Sequence, residues 1–480
     1  MTTVSVPATA STPERRPLLS SLQTRQRLLV LGGVAVVLAL ITMLQAINAY
    51  STSYELFRGI AEVNSTTVDA SERALQYIAQ ASQAAADYAV LTSDTPLYEQ
   101  SQNDIFRNFA SFRDEMGILR GNLQSNAERT AYTVAETFTF SRFWRHVSDL
   151  VAQRSNDAVA RQQYLAADNH VRSWINPALQ ELETLNFEQM EAAGEAALSV
   201  IFAQVILLAI PAVALGLLVT YLSQMLRQKV HRYLTPGIDA AAVLSWLVLI
   251  IMVLNLLAAP NQVRVMIQDA YRSVSGSSRV LVDANLANRA ESSELLDVER
   301  AEAWDARFDE AAERVKLRMC GQSNCIERAF TSGTAETADT QRVLSAESIS
   351  EADLAEIQSI PPLIANITFS GELAALEQAR VAFNDYLAAN AQLRGLVAAG
   401  DIEGAVALNT GTDMGTSQEA FDRFTNAMEQ LRDVNRKVFD ETWASASATL
   451  QNNRVVFGLV GYLLIAGLIV WGMYHRYREL

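Results

Sequence analysis

Four stretches of this sequence are long and apolar enough to cross a lipid bilayer, which requires about 20 residues of helix. They cover residues 28–49, 198–222, 238–260 and 455–474. The only charged residue in them is Asp239, at the start of the third stretch. The buried helices of a soluble domain can be this apolar, but they do not account for four stretches of this length. We therefore predict an all-α integral membrane protein with four transmembrane helices, and keep cleavage of the first stretch after Ala49 as an alternative.

The short pieces of chain outside these stretches are basic. Residues 1–27, 223–237 and 475–480 carry net charges of +3, +3 and +1. Positive charge in short pieces marks the cytoplasmic side of a membrane. We therefore predict a multi-pass protein of the plasma membrane, bacterial in type, with both termini and the 223–237 loop in the cytoplasm. Residues 1–27 are rich in Ser, Thr and Pro and are expected to form a disordered tail.

The two long segments between the apolar stretches are acidic. Net charge is −9 over residues 50–195 and −13 over residues 238–454. Because the short pieces are cytoplasmic in this topology, both long segments are predicted to be extracytoplasmic. Such acidity argues against nucleic acid as a partner, since binding to phosphates requires basic surface.

The first long segment, residues 50–197, has the composition of a helical bundle. It is rich in residues that favour helices and shows no alternation typical of strands. Breaks are predicted at Ser93–Pro96, at Gly121–Asn126 and at Ser155–Asp157, with Ser155 or Asp157 as the cap of the last helix. Three breaks give an extracytoplasmic four-helix bundle whose first and last helices continue from and into membrane spans.

The second long segment, residues 261–454, is predicted to repeat this plan as a second four-helix bundle. One helix leaves the third span and continues towards Val315. The last helix has an apolar stripe with the 3,4 spacing of a coiled coil, formed by Phe421, Phe424, Met428, Leu431, Asn435, Val438 and Thr442. Asn435 either fixes the register of this stripe or is a tolerated boundary position. Residues 320–370 form a loop-rich insertion.

The two cysteines of the chain, Cys320 and Cys325, lie in this insertion. Outside the cytoplasm, a disulfide closing the small loop between them is expected, and two free thiols are the alternative. The four histidines are scattered, so we predict no metal site and no cofactor.

Sequence motifs of catalysis are absent. The chain contains neither His-Glu-x-x-His nor Gly-x-Ser-x-Gly, and we predict that it is not an enzyme. The polar residues of the spans are uncharged and argue against a transporter; they are expected to form hydrogen bonds between helices. They are Thr42, Gln45, Asn48, Gln204, Thr220 and Asn255.

Parts of both long segments resemble the four-helix-bundle sensor domains of bacterial chemoreceptors and sensor kinases. In residues 379–439, the break at Gly400-Asp401 followed by Ala-Val-Ala-Leu is typical of the turn before the last helix of that family. In the first segment, AADYAVLTSDTPLYEQ is similar to the turn between the first two helices of that family. The resemblance implies an extracytoplasmic sensor. The chain departs from the family because no signalling coiled coil, kinase or cyclase follows residues 455–480.

The tandem arrangement is also similar to a group of actinobacterial membrane proteins with four spans and two such bundles. One member relays glutamine and glutamate sensing from an extracytoplasmic binding lipoprotein to a cytosolic Ser/Thr protein kinase. Residues 281–311 carry this resemblance. It implies a solute-binding protein as an outside partner and a signalling protein as a cytoplasmic partner, and it assigns no ligand residue.

The function we predict is a transmembrane sensor or relay for a small solute or a solute-binding protein. A cytoplasmic partner is expected to dock on Arg227, Lys229, His231 and Arg232. The alternative for these residues is that they only set the topology and contact anionic lipid. The alternative function is a scaffold or accessory subunit of a membrane complex, with an interface at Phe138, Phe140, Phe143 and Trp144 if these do not pack in a core. Whether the chain forms a homodimer is left open.

Overall fold

The computed structural model describes residues 24–91, 96–230, 235–322, 326, 329–330, 357 and 361–479. Over this part of the chain the secondary structure is helical and contains no strand. The all-α class predicted from the sequence is confirmed.

The helices are numbered in chain order. The first half contains α1 (Thr24–Arg58), α2 (Ser65–Val90), α3 (Pro96–Asn122), α4 (Asn126–Phe138), α5 (Trp144–Ala152), α6 (Asp157–His170) and α7 (Asn176–Val230). The second half contains α8 (Pro236–Arg264), α9 (Arg272–Leu296), α10 (Ala301–Cys320), α11 (Glu372–Ala399), α12 (Ile402–Thr410), α13 (Ser417–Asn453) and α14 (Tyr462–Glu479). π-Helical segments join consecutive helices at Gly59–Asn64, Thr139–Phe143, Val171–Ile175, Val265–Tyr271 and Arg454–Gly461.

The four predicted spans lie on helices that are long and apolar enough to cross a membrane. These continuous helices run over Gln26–Val90, Asp157–Gln228, Pro236–Leu296 and Ser417–Arg478. Large apolar side chains on them face outwards, with Ile210 65% exposed and Val243 69% exposed. Exposed apolar surface of this kind indicates a lipid environment. The protein is therefore a multi-pass membrane protein, and its orientation stays a prediction.

The described residues form two compact units. One contains those of residues 1–54, 199–260 and 448–480, which include the spans; the other contains those of 55–198 and 261–447. We refer to the first as the span unit and to the second, after its predicted location, as the outer unit. The two long segments are thus parts of one unit, and their division into two four-helix bundles stays a prediction.

Polar side chains in the span unit form hydrogen bonds between helices, as expected. The amide nitrogen of Asn48 donates to Oε1 of Gln204 over 3.4 Å. The indole nitrogen of Trp246 donates to the hydroxyl of Thr220 over 3.3 Å. Gly458 lets two helices approach closely, because a methyl group there would lie 3.4 Å from the side chain of Ile47.

The predicted helix breaks of the first long segment are confirmed. Helix α2 ends at Val90 and α3 begins at Pro96. At the second break, Ser125 accepts a hydrogen bond from the backbone of Glu128, whose carboxylate accepts one from the backbone of Ser125, which forms a capping box. At the third break the predicted cap is wrong: Asn156 caps α6, because its side chain accepts from the backbone of Val159.

The helix predicted to continue towards Val315 ends earlier, at Leu296. Asp297 leaves the helical conformation, and its buried carboxylate accepts hydrogen bonds from Arg161 and Arg300. Arg300 is a local partner, but Arg161 belongs to the first long segment, so local sequence reveals only one of the two contacts at this break. The apolar stripe of α13 is confirmed through Asn435, after which the buried position moves to Phe439.

Helices α2 and α9 lie at the centre of the outer unit, one from each long segment. Nearly all residues of both helices are buried, although they are rich in Ala and Ser and contain charged residues. Ion pairs between the two segments satisfy several of these charges. Nη2 of Arg279 lies 2.7 Å from Oε2 of Glu183, and Nε of Arg289 lies 3.1 Å from Oδ1 of Asp168. Beside its apolar clusters, the outer unit therefore contains buried ion pairs that both segments build.

Candidate functional site

A cavity of about 260 Å³ lies in the outer unit among the α6–α7 helix, α9 and α10. Its lining is mostly polar and comes from both long segments. The lining residues are Asp168, Arg172, Asn176, Pro177, Gln180, Asp283, Leu286, Arg289, Ala290, Trp304, Arg307, Glu310, Ala311, Arg314 and Arg318. We call it the arginine cavity.

Helical spacing explains why these residues share one cavity. On α10, Trp304, Arg307, Ala311, Arg314 and Arg318 follow one another at steps of three and four, so they lie on one face of the helix. Helix α10 presents this face to the cavity, and three arginines lie on it.

A π-helical segment forms the opposite wall. Asp168 lies before the segment Val171–Ile175, Arg172 lies in it, and Asn176 follows it. Single-turn π segments inside α-helices are rare and occur frequently at functional sites. The irregularity in this long helix therefore coincides with the cavity.

Two buried carboxylates hold four of the arginines. Asp283 accepts from Nε of Arg314 at 3.0 Å and from Nε of Arg318 at 2.8 Å. Asp168 lies 3.1 Å from Nε of Arg289 and 3.8 Å from Nε of Arg172. Because Asp168 and Asp283 are almost completely buried, these pairs fix the arginine side chains around the cavity.

Arg307 differs from the other arginines of the cavity. In the part of the chain that the structure describes, no carboxylate lies within 4 Å of its guanidinium group, whose Cζ lies 4.1 Å above the ring of Trp304. Burial, and next the positive charge of Arg172, lower the pKa of Arg307 from its ordinary value. Such a half-buried cation without an ion pair is uncommon, because arginines in a protein interior are usually paired.

Besides Oδ1 of Asp168, which is ion-paired with Arg289, two buried polar atoms of the lining have no hydrogen-bond partner among the described residues. They are Nε1 of Trp304 and Oδ1 of Asn176, and both side chains are at most 5% exposed. Leaving such an atom unsatisfied costs about 1–3 kcal/mol. A solute that fills the cavity would give both atoms a partner, one as donor and one as acceptor.

The lining carries a net charge of +2. Five arginines face three carboxylates, namely those of Asp168, Asp283 and Glu310. The two long segments as a whole are acidic, so this positive cavity is a local exception. Its size, charge and unsatisfied atoms make it suited to binding a small polar solute.

Two carboxylates elsewhere in the core of the outer unit have strongly shifted pKa values. Burial, followed by the charges of Glu183 and Asp69, raises the pKa of Glu72 to about 8. Burial raises the pKa of Asp87 to about 7, although hydrogen bonds from Ser292 and Gln83 oppose the shift. Around neutral pH these two groups are therefore at least partly protonated.

The predicted site residues lie elsewhere. Arg227 is half-exposed in the span unit and pairs with Asp239 at 3.1 Å, while Lys229 lies near the end of α7. His231 and Arg232 lie outside the described residues. The docking surface predicted from these four residues stays a prediction.

The predicted disulfide also stays a prediction. Cys320 is buried at the end of α10, and Cys325 lies outside the described residues. The described residues contain no group of three or more His, Cys, Asp or Glu side chains placed to hold a metal ion.

The aromatic residues considered as an interface pack in the outer unit instead. Phe143 is fully buried, and Trp144 stacks on Phe109 with ring centroids 4.0 Å apart. Phe138 stacks on Trp174 at 4.7 Å, and Phe140 contacts Phe109 edge to face. These contacts favour core packing for the cluster.

The arginine cavity was not predicted from the sequence. Its clearest signal is the helical spacing of Arg307, Arg314 and Arg318 inside a strongly acidic segment. That signal does not distinguish a cavity from a solvated helix face, because the opposing Asp168 is more than a hundred residues away in the sequence.

Comparisons of this chain with family models, with curated proteins and with solved structures find no match.

Proposed function

We propose that the protein is a transmembrane sensor or relay whose outer unit binds a small solute in the arginine cavity. The observation that carries this proposal is the continuity of the helices that line the cavity. Asn176 and Gln180 lie on α7, and the same unbroken helix contains the second candidate span. Asp283 and Arg289 lie on α9, which continues without a break from the third candidate span.

A solute in this cavity would bridge α10 and the π segment before α7. Arg307 and Trp304 lie on one side, and Asn176 lies on the other. A ligand shifts an equilibrium only if it binds one arrangement better than another. Bridging the two walls provides such a preference, and a small shift or rotation of α7 would carry the signal to the span.

The output in this proposal is a recruited cytoplasmic protein, for instance a protein kinase. Its docking site would include Arg227, Lys229, His231 and Arg232, in a topology with both termini in the cytoplasm. A solute-binding protein outside the membrane would deliver the solute or replace it, as the resemblance to the actinobacterial four-span proteins implies.

Hydrogen exchange of the full chain in lipid nanodiscs tests the proposal. The chain is incubated with separate pools of amino acids, carboxylic acids, inorganic phosphate, sugars and polyamines, and exchange is read by mass spectrometry. A sensor of this design gains protection in residues 168–180 and 301–318 with one pool, and changes exchange at the start of α7's apolar stretch. Unchanged exchange in all of these residues with every pool would contradict solute sensing.

A further inference from the structure

We propose that the solute of the arginine cavity is a small dianion, and that Arg307 and the indole N–H of Trp304 are its direct ligands. This inference rests on the proposed function, because it takes the sensed solute to be the one that fills this cavity. It adds the chemical class of the ligand and the residues that select it.

The charge of the lining favours a ligand with negative charge. Four arginines share the carboxylates of Asp168, Asp283 and Glu310, and Arg307 has no ion pair among the described residues. The lining therefore has an excess of two positive charges. A ligand with two negative charges neutralises it, whereas a cation would add charge to a site where Arg307 already lacks a partner.

The contact between Arg307 and Trp304 prepares the site for an oxyanion. Cζ of Arg307 lies 4.1 Å from the centroid of the indole ring, a contact that uses no acceptor, and no carboxylate of the described residues lies within 4 Å of its N–H donors. A guanidinium group offers a carboxylate or phosphate a fork of such donors. The indole N–H of Trp304 is a further donor, which is buried and has no acceptor in the described part of the chain. Both residues lie on the same face of α10, one turn apart.

The size of the cavity limits the ligand to a small molecule. Its volume of about 260 Å³ lies just below the range of about 300–1,000 Å³ that is usual for small-molecule sites. A four-carbon dicarboxylate and inorganic phosphate both fit, and they are two sources of the same chemistry. The unsatisfied acceptor Oδ1 of Asn176 adds a preference, since a hydroxyl group on the ligand would donate to it.

Titration calorimetry on the full chain in nanodiscs tests this inference with succinate, malate, inorganic phosphate, acetate, putrescine and glucose. We expect saturable binding of succinate or phosphate, weaker binding of the monoanion acetate, and no binding of putrescine or glucose. If a dicarboxylate is the better dianion, malate binds more tightly than succinate, and Asn176→Ala removes the difference. Separate titrations with the dicarboxylates and with phosphate distinguish the two sources.

The deciding variant is Arg307→Gln, with Arg113→Gln as the matched control. Arg113 lies on α3, its side chain is 67% exposed and its nearest carboxylate is 3.9 Å away. We expect Arg307→Gln to weaken binding of the dianion roughly ten- to hundredfold, the loss of one charge-assisted contact, and Arg113→Gln to leave it unchanged. Arg307→Lys keeps the charge but loses the fork of donors, so its affinity for the dianion is expected to lie between those of Arg307→Gln and Arg113→Gln. Circular dichroism checks that each variant is folded.

Three outcomes would overturn the inference: no dianion binds at millimolar concentration, Arg307→Gln binds it as well as the unaltered chain, or putrescine or glucose binds instead. The outcomes for the proposed function are separate. If a dianion binds through Arg307 but hydrogen exchange in α7 does not change, the proposed class of ligand is supported and the proposed sensor function is contradicted. If a neutral solute protects the cavity and changes α7, sensing stands and the ligand class is wrong.

Discussion

The ion pair between Arg279 and Glu183 is predicted to stabilise the outer unit only as a complete pair. Arg279 of α9 donates to both carboxylate oxygens of Glu183 on α7, with distances of 2.7 and 2.8 Å from Nη2, and both side chains are less than 10% exposed. Replacing one partner leaves the other charge buried and uncompensated. Arg279→Met should therefore lower the free energy of unfolding by about 3–5 kcal/mol.

The double variant Arg279→Met/Glu183→Met should recover most of this loss, because two apolar side chains of similar volume replace a desolvated pair. The exposed pair Arg423–Asp385, with atoms 3.1 Å apart, provides the control: Arg423→Met should cost at most about 1 kcal/mol. The assay is equilibrium unfolding of the detergent-solubilised full chain, followed by circular dichroism. A loss below about 1 kcal/mol for Arg279→Met, or a double variant as unstable as the sum of both single variants, would refute the reasoning.

Three further predictions concern the outer unit. The pKa of Glu72 is raised to about 8 in the folded chain, so folding takes up a proton between its ordinary pKa near 4.5 and that value, and stability falls as pH rises through this window. Glu72→Gln should remove this dependence, which amounts to roughly 2–3 kcal/mol of the free energy of unfolding between pH 5 and 7. Ser125→Ala removes the cap of α4 and should cost about 1 kcal/mol in the same unfolding assay. Gly400→Ala, at a φ of +80°, should lower the melting temperature, whereas Gly395→Ala inside α11, where a methyl group meets no atom within 4 Å, should raise it.

Sequence patterns were sufficient to predict those parts of the fold whose signal lies in neighbouring residues. The spans follow from the length of uncharged apolar stretches, and the breaks at Pro96, Ser125 and Gly400 follow from residues whose own chemistry starts or ends a helix. The apolar stripe of α13 was also correct through Asn435, since that face packs in a core.

The features that the sequence did not reveal depend on contacts between the two long segments. Helices α2 and α9 are buried on most faces, so polar and charged residues lie buried there beside apolar ones and are held by partners on other helices. Arg161 binds Asp297 at the early end of α9, and Asp168 binds Arg289 at the arginine cavity; Arg161 and Asp168 both belong to the other segment. Helical periodicity carries no information about such partners, so neither the shared core nor the cavity could be predicted from it.

The central claim of this account is that occupation of the arginine cavity is transmitted along α7 into the span unit. Cysteines placed at Asn48 and Gln204, whose side chains are 3.4 Å apart on α1 and α7, report on the position of α7 in that unit. The measurement is the rate of oxidative cross-linking of this pair in the full chain in nanodiscs, with and without a dianion that binds. The account predicts a rate that changes saturably with the dianion and no longer responds when Arg307→Gln is added. A rate that is independent of the bound dianion would contradict it.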